Sequence, residues 1–222
     1  MKPKSIIKLF LFTLFLFGIF ISNAQDPNRF KDQVNELFNT EYDFSPDKKL
    51  VVFTGSSSIK MWEDVQKRFP EYNVINNGFG GSHFSDLLYF YDELITKQTP
   101  DYLFIYEGDN DVAGDKKTSR IKKDAKILAK KLKRDLPATK VIFISPKPSI
   151  KRWHLKKQYE KVNKKLQKLC RKSDSMEYAD VWNAMLDKDG MVYKDIFLDD
   201  DLHMNKKGYD IWTEVISTFL KY

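Results

Sequence analysis

Five short apolar runs, each followed by residues at helical spacing, constrain this chain more than anything else in it. The runs lie at residues 50–55, 72–75, 102–106, 141–144 and 176–181. Between and after them, apolar residues recur three and four apart. Examples are Ile59, Trp62 and Val65; Leu87, Leu88, Phe90, Tyr91 and Leu94; Ile121, Ala125, Leu128 and Leu132; Tyr159, Val162 and Leu166; and Ile211, Val215 and Phe219. That spacing marks amphipathic helices, whereas a continuous apolar run marks a strand buried on both faces. Strict alternation of the two predicts an α/β protein, a three-layer α/β/α sandwich around a five-stranded parallel sheet in the order 2-1-3-4-5. Right-handed crossovers then bring the carboxyl ends of all strands to one edge, where ligands bind in such sheets.

The helical readings are specific. Residues 62–69 continue the first helix, which Pro70 stops, and Ser82 or Ser85 caps the next one. Residues 25–49 read as an opening helix (Phe30, Val34, Leu37, Phe38) and a polar loop, leading into a single domain over 50–222.

The first 24 residues are different material. Lys2, Lys4 and Lys8 precede an almost unbroken apolar run at 9–21, and Ser22, Asn23 and Ala24 supply the small residues of a cleavage site. The run falls short of the roughly 20 residues of a spanning helix. A signal peptide cleaved after Ala24 is expected, and with it a periplasmic or secreted location; an uncleaved leader would be the only membrane contact. The formal net charge is +7. Three of those charges belong to the leader, leaving +4 on the mature part. Its lysines crowd 116–133 and 147–172 at helical surface positions, which fits solvated helix faces and argues against a nucleic-acid partner. Cys170 is the only cysteine. It lies on an amphipathic helix, so it is expected to be a buried structural thiol.

The strand ends carry the polar chemistry. The first run ends at Gly55-Ser56-Ser57-Ser58, the second at Gly78-Phe79-Gly80-Gly81, and the third at Gly108-Asp109-Asn110-Asp111; Asp200-x-x-His203 lies near the C-terminus. Serine, histidine and carboxylate supply a nucleophile, a base and a group to orient the base. The N–H of Gly81 and the amide of Asn110 suit an oxyanion. Each residue has a plainer use: a serine of the first turn as a helix cap, Asn110 as a turn former, His203 as a surface histidine. His83 is expected to pack at a helix start and His154 to be exposed. Trp62 and Trp153 are expected in the core or at its rim. Neither a Walker ending nor a Gly-x-Ser-x-Gly elbow is present.

These blocks resemble those of the SGNH hydrolases, also called GDSL-type esterases, across residues 50–220. The resemblance makes Ser57 the nucleophile, His203 the base and Asp200 its orienting carboxylate. It puts the N–H groups of Ser57 and Gly81, with the side-chain amide of Asn110, around the oxyanion. The family's first block usually reads Gly-Asp-Ser; Ser56 stands here in place of the aspartate. A branch carrying Gly-Ser-Ser-Ser also has Lys147-Pro148-Ser149 and Arg152-Trp153. The resemblance implies an exported serine ester hydrolase that acts through an acyl-enzyme without cofactor or metal. Its expected substrates are small acyl esters or acetylated glycans. A lysophospholipase or short-chain lipid esterase is the enzymatic alternative, and a non-catalytic glycan-binding module on the same fold is the alternative from another class.

Overall fold

The computed structural model describes residues 26–220; the expected leader lies outside them. Strands β1 (Leu50–Gly55), β2 (Asn73–Gly78), β3 (Tyr102–Tyr106), β4 (Lys140–Ile144) and β5 (Met176–Ala179) form one sheet. Its order is β2-β1-β3-β4-β5 and every pairing is parallel, as the alternation predicts. The register makes the edge a line. Gly55 lies opposite both Gly78 and Tyr106, Tyr106 opposite Ile144, and Ile144 opposite Ala179. Whatever follows each of these residues emerges at the same level.

Period-two alternation divides the sheet's side chains between two cores. Val52, Ile75, Leu103, Ile105, Val141 and Phe143 face one side. That side is covered by α1 (Lys31–Asn39), α4 (Phe84–Tyr89), α5 (Tyr91–Leu94), α7 (Thr118–Asp135) and α8 (Lys156–Cys170). Val51, Phe53, Phe104, Tyr106, Ile142 and Ile144 face the other. There they meet α2 (Ser57–Lys60), α3 (Val65–Arg68), α9 (Val181–Ala184) and α10 (Lys206–Ser217). One short helix, α6 (Asp109–Ala113), sits at the edge itself. The second core is aromatic: Phe53 stacks on Phe104 at 4.8 Å, and Trp62 on Tyr209 at 5.3 Å. Trp62 and Trp212 are fully buried, so truncating either should cost about 3–5 kcal/mol.

The structure corrects several boundaries. The first helix does not run to Phe69; it breaks into α2 and α3. The Asn76 amide reaches back from β2 and donates to the carbonyls of Ile59 (2.8 Å) and Trp62 (3.2 Å). Carbonyls satisfied by a side chain no longer need the next helical turn. The second strand extends three residues beyond Ile75, to Gly78. The helix over 84–94 splits at Phe90 (φ −96°, ψ 29°) into α4 and α5. Neither Ser82 nor Ser85 caps it: His83 holds the cap position, with its N–H donating to the Asp86 carboxylate at 3.0 Å. Cys170 is buried, and desolvation pushes its thiol up to about 12, as befits a structural thiol. No helix among the described residues is long and apolar enough to cross a membrane.

Candidate active site

The site begins where β1 ends. Gly55 has φ +128°, and a Cβ there would lie 2.0 Å from the Tyr106 carbonyl oxygen, so only glycine lets β1 turn beside β3. Ser56 N–H donates to that same carbonyl at 3.1 Å, which pins the turn to β3. Ser57 then opens α2, half-buried, with its hydroxyl 3.0 Å from His203 Nε2.

His203 and Asp200 come from the loop before α10. The Asp200 carboxylate folds its own loop around itself. One oxygen accepts the N–H groups of Leu202 (3.0 Å) and His203 (2.9 Å), and the other lies 2.5 Å from His203 Nδ1. The modest desolvation of Asp200 opposes ionisation. The backbone donors of His203 and Leu202, then the His203 ring, outweigh it and hold the carboxyl down to about 2. A carboxylate can only accept, so Nδ1 carries the proton and Nε2 is left to accept from Ser57. His203 O in turn accepts from Leu198 N–H at 2.8 Å, and Lys151 N–H ties Asp201 O to the β4 side at 3.0 Å.

The other half of the site runs inward from the exposed Gly81 and the half-buried Asn110. Gly81 has φ +78° and nothing within 4 Å of a built Cβ, so backbone conformation, not space, requires glycine. Among the described residues, the N–H groups of Ser57 and Gly81 have no protein acceptor. The Asn110 amide is held on three sides. Nδ2 donates to Ser56 Oγ (2.6 Å) and Ser82 O (3.0 Å), and Oδ1 accepts from Arg152 Nη2 (3.1 Å). Arginine can only donate, which fixes which end of the amide faces the serine turn. Ser56, the residue that departs from the usual block, is thus the resting partner of Asn110.

Behind Asn110 lies Asp109, which is buried. Its carboxylate accepts from Arg152 Nη1 (2.6 Å), Tyr106 OH (2.7 Å) and Tyr159 OH, with Lys147 Nζ at 3.9 Å. Burial alone would raise its carboxyl; Lys147 and Arg152, helped by the two hydroxyls, hold it below the usual range instead. Glu107 behaves oppositely. Desolvation and the nearby Asp111 charge push it well above the ordinary value, against the Ser82 hydroxyl, whose Oγ donates to it at 2.6 Å.

Ser57, His203 and Asp200 are therefore contiguous, and Asn110 and Gly81 stand on the same edge. His83 packs at the start of α4, with Nδ1 3.6 Å from Asp111, and takes no part in the line; His154 is exposed. Trp62 lies in the core, and Trp153 is partly buried and stacked on Trp182 at 6.2 Å. The run Asp199–Asp201 does not gather ligands. Among the described residues no group of three or more His, Cys, Asp or Glu is placed to hold a metal ion. Sequence reasoning gave no role to Asp109, Lys147, Arg152, Tyr106, Tyr159 or Glu107. The signal was there without a role attached: Lys147 and Arg152 belong to the branch pattern that accompanies Gly-Ser-Ser-Ser, and Asp109 stands in the third block.

Residues 52–211 match the family model described as the GDSL-like Lipase/Acylhydrolase family. A comparison with curated proteins gives no match. Among solved structures, the chain is similar to a Streptococcus pneumonia protein described provisionally as a platelet activating factor. That pair has a TM-score of 0.75 and 19% identity, over 88% of this chain and 92% of the other. A GDSL-like lipase from Bacteroides thetaiotaomicron gives 0.70 and 19%, over 87% and 96%. An acetylxylan esterase from Geobacillus stearothermophilus gives 0.66 and 16%, over 78% and 94%. At these identities the likeness concerns the fold.

Proposed function

The chain belongs to the GDSL-like lipase/acylhydrolase family and is a hydrolase by that membership, and from this premise we propose that it is a serine esterase that removes acetyl or other short acyl groups from carbohydrate esters. The observation that carries the reading is the 3.0 Å approach of Ser57 Oγ to a histidine whose other nitrogen faces a carboxylate at 2.5 Å. Ser57 Oγ attacks the acyl carbon as its proton passes to His203 Nε2. The charge on the ester oxygen is met by the N–H groups of Ser57 and Gly81. Asn110 Nδ2 joins them by turning its contact from Ser56 Oγ to the substrate. His203 then returns the proton to the leaving alcohol; water, deprotonated by His203, attacks the acyl carbon, and His203 passes that proton to Ser57 Oγ as the acid leaves. Asp200 holds the imidazole in register and stabilises its charged form.

Two observations favour a short acyl group on a bulky alcohol. Asp200 is exposed, and Ser57 and His203 are only partly buried, so the site is open at the edge. An acetylxylan esterase also shares the fold. The same proposal puts the domain outside the cytoplasm, on the basic and apolar leader over 1–24. The test is acetate release from p-nitrophenyl acetate and from acetylated oligosaccharide, wild type beside Ser57→Ala, with p-nitrophenyl esters of increasing chain length. Turnover of acetate esters by wild type alone supports the reading. Preference for long chains would favour a lipid esterase. An inert wild type that retains acetylated glycans on a column would make it a binding module.

A further inference from the structure

Lys147 is an unusual lysine. It follows β4, is 1% exposed, and sits among lysines that are mostly on the surface. Burying an ammonium is costly unless its protons are all used. Its Nζ donates to Leu202 O at 2.6 Å, inside the loop that carries both Asp200 and His203. It also lies 3.9 Å from Asp109 and 5.5 Å over the Phe197 ring, and its own N–H donates to Tyr106 OH at 3.4 Å. Arg152 is the second cation on the same carboxylate. One prong of its fork goes to Asp109 and the other to Asn110, so it works as a brace between them.

We infer that Asp109 is a buried hub from which Arg152 and Lys147 act as positioning residues, Arg152 setting the Asn110 amide and Lys147 setting the loop of Asp200 and His203. This rests on the serine-esterase reading, because it assigns both residues to the atoms used there. The arrangement has a physical logic. The oxyanion donors belong to the ends of β1, β2 and β3, whereas the base, His203, arrives on a loop 97 residues after Tyr106 closes β3. Nothing within that loop fixes its distance from Asn110. Two cations on one carboxylate do, because moving either half uncovers a charge in the interior. The guanidinium also polarises the amide through Oδ1, so Nδ2–H becomes a better donor to developing negative charge.

The experiment uses the full chain and p-nitrophenyl acetate, with thermal melts on every variant. Arg152→Ala should lower kcat by roughly 10–100-fold with KM nearly unchanged, the size expected from misplacing one group by about an ångström. In an Asn110→Ala background the same change should cost almost nothing, because the residue through which Arg152 acts is gone. Arg152→Lys keeps a cation beside Asp109 without the second prong; it should fold and still lose kcat, which keeps the test sound if Arg152→Ala unfolds. Lys147→Met keeps the length of the side chain and loses the donor, and should also lower kcat. Desolvation and the Arg152 charge push Lys147 down to about 8, against the opposing pull of Asp109 and Asp200. The wild type should therefore show an alkaline fall in kcat near pH 8 that Lys147→Met lacks. Undiminished kcat in Arg152→Lys or Lys147→Met overturns the inference, as does an Arg152 loss that multiplies fully with that of Asn110→Ala. Ser57→Ala separates the two levels. If it is inactive while the Arg152 variants are fully active, the inference alone falls; if it is as active as wild type, the serine reading falls and takes the inference with it.

Discussion

The two halves of the candidate site are built by opposite means. The Asn110 half reaches deep: Asp109 is 5% exposed and Lys147 1%, and the Asp109 carboxylate takes its partners from β3, α8 and the segment after β4. The Asp200–His203 half is shallow, made by a loop that folds around its own carboxylate, with side chains 39% and 24% exposed. The deep half is inseparable from the fold, because β3, β4 and α8 converge on Asp109. The shallow half is grafted onto the fold at one end of α10. Function should therefore be lost in two distinguishable ways: with the fold at the deep half, and without it at the shallow half.

The largest expected effect is on the shallow side. His203→Ala should lower kcat by roughly 10⁴-fold or more, since nucleophile and base act as a unit. Its melting temperature should match wild type, and a clear drop would erase the contrast. Next is Asp109→Asn, which leaves two buried cations without their carboxylate. A loss of about 3–5 kcal/mol is expected, read as a shift in the denaturation midpoint. A variant as stable as wild type would show that the deep half is not structural. Asn110→Ala sharpens the comparison, because it removes a deep group that faces substrate. It should cost roughly 10²–10³ in kcat, about 2.7–4 kcal/mol, with a smaller loss of stability than Asp109→Asn. The smallest effect is on acid stability. Asp200 is held at about 2, so its folded form keeps a charge that the unfolded chain gives up near pH 4. That contribution is complete above roughly pH 4 and lost as pH falls through about 2. Asp200→Asn should flatten this part of the melting curve slightly and leave the fall due to the buried Asp109, whose carboxyl is also held down. Identical curves would mean the loop carboxylate adds nothing to the fold.

The shallow half was also the legible one. Asp200-x-x-His203 is local, and the reach of an aspartate to a ring three residues on is a property of the chain itself. The sheet was legible for a similar reason, because a doubly buried strand must be apolar throughout and its helix must repeat every 3.6 residues. The deep half was legible only at its rim, in Gly81 and Asn110. Its contacts join Asp109 to Lys147 and Arg152, 38 and 43 residues away in sequence, and no period links them. The branch pattern set Lys147 and Arg152 apart from the other lysines and arginines among the 38, but nothing in the sequence marks them as buried on one carboxylate. The broken first helix escaped for the same cause: what ends it is the amide of Asn76, on the neighbouring strand.

The central claim is that Ser57 is a nucleophile activated by His203, and covalent capture tests it most directly. An organophosphonate ester that phosphonylates only activated serines, expelling its leaving group, should add one group per chain. Peptide mass mapping should place that group on Ser57, esterase activity should fall in step with labelling, and His203→Ala should take up almost none. Label on another residue, or full activity in protein labelled to completion, would contradict the account.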